Sequence, residues 1–252
     1  MQSRVRHLVD RFLPGITVVA LIVIWQVCCM ALGISEHLLP APSLIARAFA
    51  KSFTATLVPD ALTSLRNMCI GYLIAVPLGF VIAALASQFK LFVRMCLPVF
   101  IVLMVTPMAT LVPEFKLFLG VSQDLKIIII VLQCMPVIAV NTITGFSSTP
   151  ANKLDVARGL GMRRWETFAR IVVPNALPQV FTGLKLGAIL CTIATMSADL
   201  SVGQGGIGYR ISISASTSAT DVAFAAIIVA AAIGVTFYSV ITLIESRVVS
   251  WN

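Results

Sequence analysis

Long apolar runs separated by short polar intervals organise the chain, and six of them approach the length of about 20 apolar helical residues that a bilayer core demands. They fall at 16–34, 67–86, 95–113, 127–146, 177–198 and 222–244. The first and third are uncharged, the sixth is the cleanest, and the fifth carries Lys185 and has the weakest signal. Pro77, Pro98, Pro107, Pro113 and Pro136 lie within the middle runs. A proline frees a backbone carbonyl that lipid cannot solvate, so neighbouring helices or a wet cavity must satisfy it. Kinked middle helices therefore fit a pathway, although proline is common in membrane helices generally. The pattern predicts an all-α polytopic membrane protein, six transmembrane helices in a single domain covering residues 1–252.

Composition agrees. Of 252 residues, 59% are hydrophobic and 11% charged, with a mean hydropathy of +1.01; soluble domains carry about a quarter charged residues. The net charge of +8 does not form the basic stripe of a nucleic-acid binder, because the cations sit at the edges of apolar runs. Six spans put both termini on one side. With the N-terminus inside, Arg4, Arg6, Arg11, Lys90, Arg94, Lys153, Arg158, Arg163, Arg164, Arg170 and Arg247 face the cytoplasm, against Arg47, Lys51, Lys116, Lys126 and Arg210 outside. That asymmetry sets the expected orientation, both termini cytoplasmic. Arg4, Arg6 and Arg11 before an apolar run imitate a signal peptide, but the run is long enough to span and no small-x-small site follows, so an uncleaved first helix is expected. Cys28, Cys29, Cys69, Cys96, Cys134 and Cys191 show no C-x-x-C pair and read as small buried thiols. His7 and His37 are too few for a His-rich metal centre.

The polar interval 147–174 departs from this scheme. It carries five of the eighteen basic residues, yet it reads as ordered helix. Thr149 is a candidate N-cap with Pro150 at the first helical position. Leu154, Ala157, Leu160 and Gly161 follow at helical spacing, and Gly159 and Gly161 can end the helix. A second piece carries Trp165, Phe168 and Val172 on one side and is expected to stop near Pro174. Two readings of a short helix here stand: it lies on lipid headgroups, or it docks a partner.

The spacing Asp155-Val156-Ala157, three residues, Gly161, nine residues, Ile171, one residue, Val173-Pro174 resembles the EAA loop of permease subunits from ATP-binding-cassette importers. That loop follows E-A-A-x3-G-x9-I-x-L-P; here Asp, Val and Val replace the Glu, the first Ala and the Leu. Segments 38–49, 64–83, 158–187 and 205–212 are similar to the nitrate, sulfonate and taurine branch. The resemblance covers roughly residues 38–251 and implies the type I importer permease fold, in the bacterial cytoplasmic (inner) membrane. It implies that 147–174 is a coupling loop whose Asp155, Ala157, Arg158, Gly161 and Arg164 meet a cytoplasmic ABC ATPase dimer. It also implies an extracytoplasmic solute-binding protein and a second copy of this chain as partners, with ATP and Mg on the ATPase and no cofactor here.

Residues 36–60 are too polar to span. Leu44, Ala48 and Phe49 can lie along the outer interface with Arg47 and Lys51 toward water; the resemblance adds a nearby binding protein. Ionisable residues at membrane depth are functional suspects. Arg66, Glu114 and Asp199 near outer span ends, with Asn141, Thr142, Thr192, Thr195 and Ser197, are candidates for the translocation path; Ser and Thr also serve as helix-helix glue. Lys185 is expected to snorkel to cytoplasmic headgroups. Residues 203–208, GQGGIG, match G-x-G-x-x-G, but no strand precedes them, so a tight loop is the better reading. The sequence has no P-loop, G-x-S-x-G or H-E-x-x-H motif, so catalysis is not expected on this chain. A gradient-driven secondary transporter is the alternative, though neither an inverted repeat nor a mid-span acid supports it. The branch implies a small anion such as a sulfonate, taurine or nitrate, or a vitamin-precursor-like solute, while the scarcity of charge near the path favours a neutral or aromatic one.

Overall fold

The computed structural model describes residues 2–249; the side chains of residues 2–12, 14 and 90 lie outside the described set, and with them the roles assigned to Arg4, Arg6, His7, Arg11 and Lys90. Every regular element among the described residues is helical. In chain order they are α1 (Gln2–Ala31), α2 (Pro42–Ser52), α3 (Val58–Gln88), α4 (Lys90–Val105), α5 (Met108–Leu119), α6 (Gln123–Ser147), α7 (Ala151–Gly159), α8 (Arg164–Thr167), α9 (Val173–Val202), α10 (Ile207–Ser216) and α11 (Thr220–Val248).

Among the described residues, four helical runs are long and apolar enough to cross a membrane: Pro42–Gln88, Gln123–Ser147, Arg164–Val202 and Thr220–Val248. The third expected span, 95–113, is instead a broken pair, Leu91–Val105 and Met108–Leu119, bent by 101°. The cause is local. Pro107 pushes the residue before it out of the helical region, and Thr106 sits at ψ 122 with Pro107 itself at ψ 105. Pro77, Pro98, Pro113 and Pro136 stay within their helices. The expected first span corresponds to the shorter apolar helix Gly15–Ala31.

Two long runs exceed their expected lengths because prolines are absorbed by widened turns. Phe53–Leu57 and Phe168–Val172 are π-helical, and each lies just ahead of a proline, Pro59 and Pro174. In each, the last amide before the proline bonds five residues back, Val58 to Phe53 and Val173 to Phe168. A π turn accommodates the missing proline donor without breaking the rod. The second piece of the 147–174 interval therefore does not stop near Pro174 but runs on into α9. Likewise α2 is no free interfacial helix: it leads through its π turn into α3, and its buried Ile45 packs in a cluster with Ala225 and Ala226 of α11.

The centre is a sheaf of α3, α6 and α9. Association in lipid has no hydrophobic drive and depends on close backbone approach through small residues. Accordingly a Cβ on Gly71 would lie 2.5 Å from Ile130 Cγ2, and one on Gly183 2.7 Å from Asn141 Cβ. Met68, Ala75, Cys134, Ile138, Cys191 and Ala194 are buried between these helices. α1 is the opposite case. Gln26 exchanges hydrogen bonds with Ser43 (3.0 and 3.2 Å), while Ile16, Val19, Leu21, Val23 and Ile24 are exposed.

Candidate functional site

α3 and α6 run the same way and α9 runs back, so residues 147–174 lie at one end of the sheaf and residues 203–208 at the other. At the first end α7 begins after Pro150, which is the N-cap itself in extended conformation, with no side-chain cap from Thr149. This corrects the expected start by one residue. The helix closes through Gly161 at φ +66, a left-handed position that favours glycine. Gly161 N–H donates to Arg158 O and Met162 N–H to Ala157 O, both 3.0 Å. Ala157 is fully buried, seating α7 on the sheaf, and Lys153 Nζ donates to Asn175 Oδ1 of α9 at 2.7 Å.

What α7 and its surroundings show outward is mixed, with large apolar side chains standing among exposed charged ones. Val156, Leu160 and Trp165 are 61%, 73% and 73% exposed, an unusual display for a loop otherwise rich in arginine, and such patches mark contact surfaces. Asp155 and Arg158 pair at 3.0 Å in full view of solvent, so the pair contributes little to stability. Arg164 is exposed beside them. Lys153, Val156, Arg170, Ile171, Pro174, Asn175 and Pro178 line a cleft of about 540 Å³ between α7 and the base of α9. The structure thus gathers Asp155, Ala157, Arg158, Gly161 and Arg164 into one knob. It stands on a continuous 39-residue helical run, Arg164–Val202.

The opposite end holds an interior network. Lys126 and Asp199 are both 0% exposed and pair at 2.9 Å. Ser64 Oγ donates to Asp199 Oδ2. Asp60 accepts from Arg210 Nε at 2.7 Å. This overturns two expectations: Lys126 is no surface cation that helps set orientation, and Asp199 rims no entrance. Lys185 does not snorkel; it pairs with Glu245 of α11 at 2.7 Å. The sequence held a signal for the first pair, since Lys126 and Asp199 are opposite charges near ends of apolar runs on the same side, where neither is stable alone. Their proximity is not local in sequence.

The remaining path candidates do not converge. Arg66 and Glu114 are exposed on separate helices, α3 and α5. Asn141 accepts from Gln179 Nε2 at 3.2 Å, bridging α6 to α9. Thr195 is buried and bonds back to Cys191 O at 2.8 Å, and Thr142 does the same with Ile138 O, the self-satisfying pattern of hydroxyls inside helices. All six cysteines are free, and no cluster of three or more metal-binding side chains occurs among the described residues.

With this geometry in hand, the comparisons are consistent. The family model for "Binding-protein-dependent transport system inner membrane component" matches residues 75–250. SsuC of Bacillus subtilis, named for aliphatic sulfonates transport, is 27% identical across 96% of this chain and 88% of its own. The riboflavin transport system permease RibX of Chloroflexus aurantiacus is 25% identical over 94% and 89%, and the nitrate import permease NrtB of a Synechocystis species 25% over 94% and 88%. In fold, the chain is similar to an amino acid ABC transporter crystallised with histidines, TM-score 0.63 at 17% identity, covering 79% of this chain and 96% of that one. The methionine transporter MetNI, in an inward-facing form, gives 0.58 at 16% over 78% and 97%.

Proposed function

Because the chain belongs to the family of binding-protein-dependent transport system inner membrane components, a family of transport subunits and not enzymes, we propose that it is the solute-conducting subunit of an ATP-driven importer. In this reading the broken α4–α5 pair and the α1 apolar segment each count as a span, giving six, with both termini in the cytoplasm. A second copy completes the path. The knob at 147–174 is the coupling element, seated in a cytoplasmic ATPase, and a solute-binding protein delivers cargo at the 203–208 end. ATP-driven closure of two ATPases favours one of two packings of the helices.

The observation that carries this is the knob on its lever. Three large apolar side chains stand exposed on a polar loop, and the helical run behind them rises 39 residues, about 58 Å at 1.5 Å per residue. A displacement imposed on Trp165 is delivered along that rod to Asp199 at the far end. A scaffold has no use for a stiff connection between an exposed apolar knob and a buried polar network.

The proposed cargo is a small organic or inorganic anion of the sulfonate, taurine or nitrate kind, or a vitamin-like solute; relatives named for aliphatic sulfonates, nitrate and riboflavin support that range. The test is reconstitution with the cognate ABC ATPase and solute-binding protein, using butanesulfonate, taurine, nitrate and riboflavin as probes. Retention of the ATPase through purification and ATP-dependent uptake of one probe are expected. Accumulation by this chain alone in vesicles, driven only by a proton or sodium gradient, would establish the secondary-transporter alternative instead.

A further inference from the structure

We propose that Lys126 and Asp199 are positioning residues: their buried ion pair, with Ser64 and Asp60, holds the 203–208 loop and the start of α10 onto α3, α6 and α9, so that this end of the bundle moves as one body. The first half rests on geometry alone; the movement rests on the importer reading above.

The network is a backbone clamp. Lys126 Nζ donates to Asp199 Oδ1 at 2.9 Å and to the carbonyl of Gly205 at 2.8 Å. Ser64 Oγ donates to Asp199 and accepts the amide of Ile207 at 2.8 Å. Asp60 Oδ1 accepts the amide of Gly206 at 3.3 Å, while its other oxygen takes Arg210 on α10. Three consecutive loop residues are thus held by side chains of α3 and α6, and Asp199 of α9 joins the two sets. Gln123 Nε2 on Gln204 O and Lys116 Nζ on Ser201 O extend the same grip to the flanks.

The reason for spending charges here is chemical. Apolar side chains of equal volume often hold helices together as well as a buried ion pair does. They cannot satisfy buried amides and carbonyls, and an unmet backbone group in a dry site is costly. Gly206, Ile207 and Gly208 are buried, so the loop needs fixed donors and acceptors. Asp60 and Ser64 supply the acceptors and Lys126 the donor, and Asp199 fixes Lys126 and Ser64 in one arrangement, which sets the loop's position as well as its stability.

The double variant K126M/D199L separates the two contributions. It replaces the pair with apolar side chains of similar volume and removes the donor to Gly205 O. In the full chain in lipid nanodiscs, the double variant is expected to melt above either single variant, since each single change strands a buried charge. Amide exchange at Gly206 and Ile207 is expected to rise about fivefold, the weight of one lost hydrogen bond, because Gly205 loses its donor and Ser64 its acceptor while both amides keep theirs, with protection around Ile130 retained. In the complex with its ATPase, the ratio of binding-protein-stimulated to basal ATP hydrolysis falls several-fold. Unchanged exchange at Gly206 and Ile207 overturns the positioning role. Faster exchange with an unchanged stimulation ratio overturns the one-body movement. Should the double variant fail to fold, S64A keeps the ion pair and removes the Ile207 acceptor; unchanged exchange at Ile207 in S64A then refutes the clamp. A wild-type complex that shows no stimulation sinks the importer reading and leaves the exchange result to decide the clamp.

Discussion

Gly205 and Gly206 form a matched pair for testing how tightly the loop is fitted to Asp199. Both have positive φ, +83 and +100, and Gly206, at ψ 163, lies in a region that is essentially glycine's alone, so alanine costs about 1–3 kcal/mol of conformational strain at these positions. Space separates them. A Cβ at 205 meets nothing closer than Asp60 Oδ1 at 3.8 Å, whereas one at 206 falls 2.3 Å from Asp199 Oδ2, 2.4 Å from its Cγ and 2.6 Å from Oδ1. Relief requires the carboxylate to move, which disturbs its bonds to Lys126 and Ser64. Overpacking alone costs about 1–3 kcal/mol, and disrupting a buried ion pair about 3–5 kcal/mol. Partial relaxation leaves G206A about 3–5 kcal/mol less stable than G205A, a large share of a typical total of about 5–15 kcal/mol. At about 2–4 °C per kcal/mol for a chain of this size, the two melting temperatures differ by about 10 °C. A thiol-reactive dye in detergent reads this directly, because Cys134 and Cys191 are buried between the central helices. Equal melting of G205A and G206A, within about 2 °C, would refute the claim that loop and carboxylate are in tight contact.

Four further outcomes are expected. G161V strains a φ of +66 but meets no atom within 4 Å; it folds, at a cost of about 1–2 kcal/mol, and uncouples ATP hydrolysis from uptake in the reconstituted complex, so unchanged coupling argues against the knob. W165A removes a side chain 73% exposed; stability changes by less than about 0.5 kcal/mol while ATPase retention on an affinity column drops. E245Q breaks the Lys185–Glu245 pair, roughly a fifth exposed on each side, and costs about 0.5–1 kcal/mol; the swap K185E/E245K recovers the melting temperature if the pair is real. G183L drives a side chain into Asn141 and destabilises the α6–α9 contact by at least about 1–3 kcal/mol, whereas G159A, with open space around it, is neutral or slightly stabilising in the same melt.

The helix proposed as the coupling knob was legible because its determinants are local. Register in α7 depends on i to i+4 spacing, and Gly161 ends it by backbone conformation, both readable from neighbours in sequence. The false dinucleotide motif illustrates the limit. Sequence context ruled out a nucleotide and suggested a tight loop, but what the glycines make room for lies elsewhere in the chain: Gly206 faces Asp199, and a Cβ on Gly208 would collide with the backbone carbonyl of Met196.

Hydropathy and proline positions alone determined that the chain is helical and membrane-bound, because lipid leaves the backbone no other way to satisfy itself. They could not say what a proline does once neighbours act on it: Pro107 breaks its helix by 101°, while Pro59 and Pro174 are absorbed by π turns and lengthen theirs. Charge was the harder case. Lys126 and Asp199 stand 73 residues apart, and a residue-by-residue reading assigned one to a surface and the other to an entrance. Only the packing of α3, α6 and α9 through their small residues brings the two together. A buried charge takes its role from its partner, and that partner is chosen by tertiary structure.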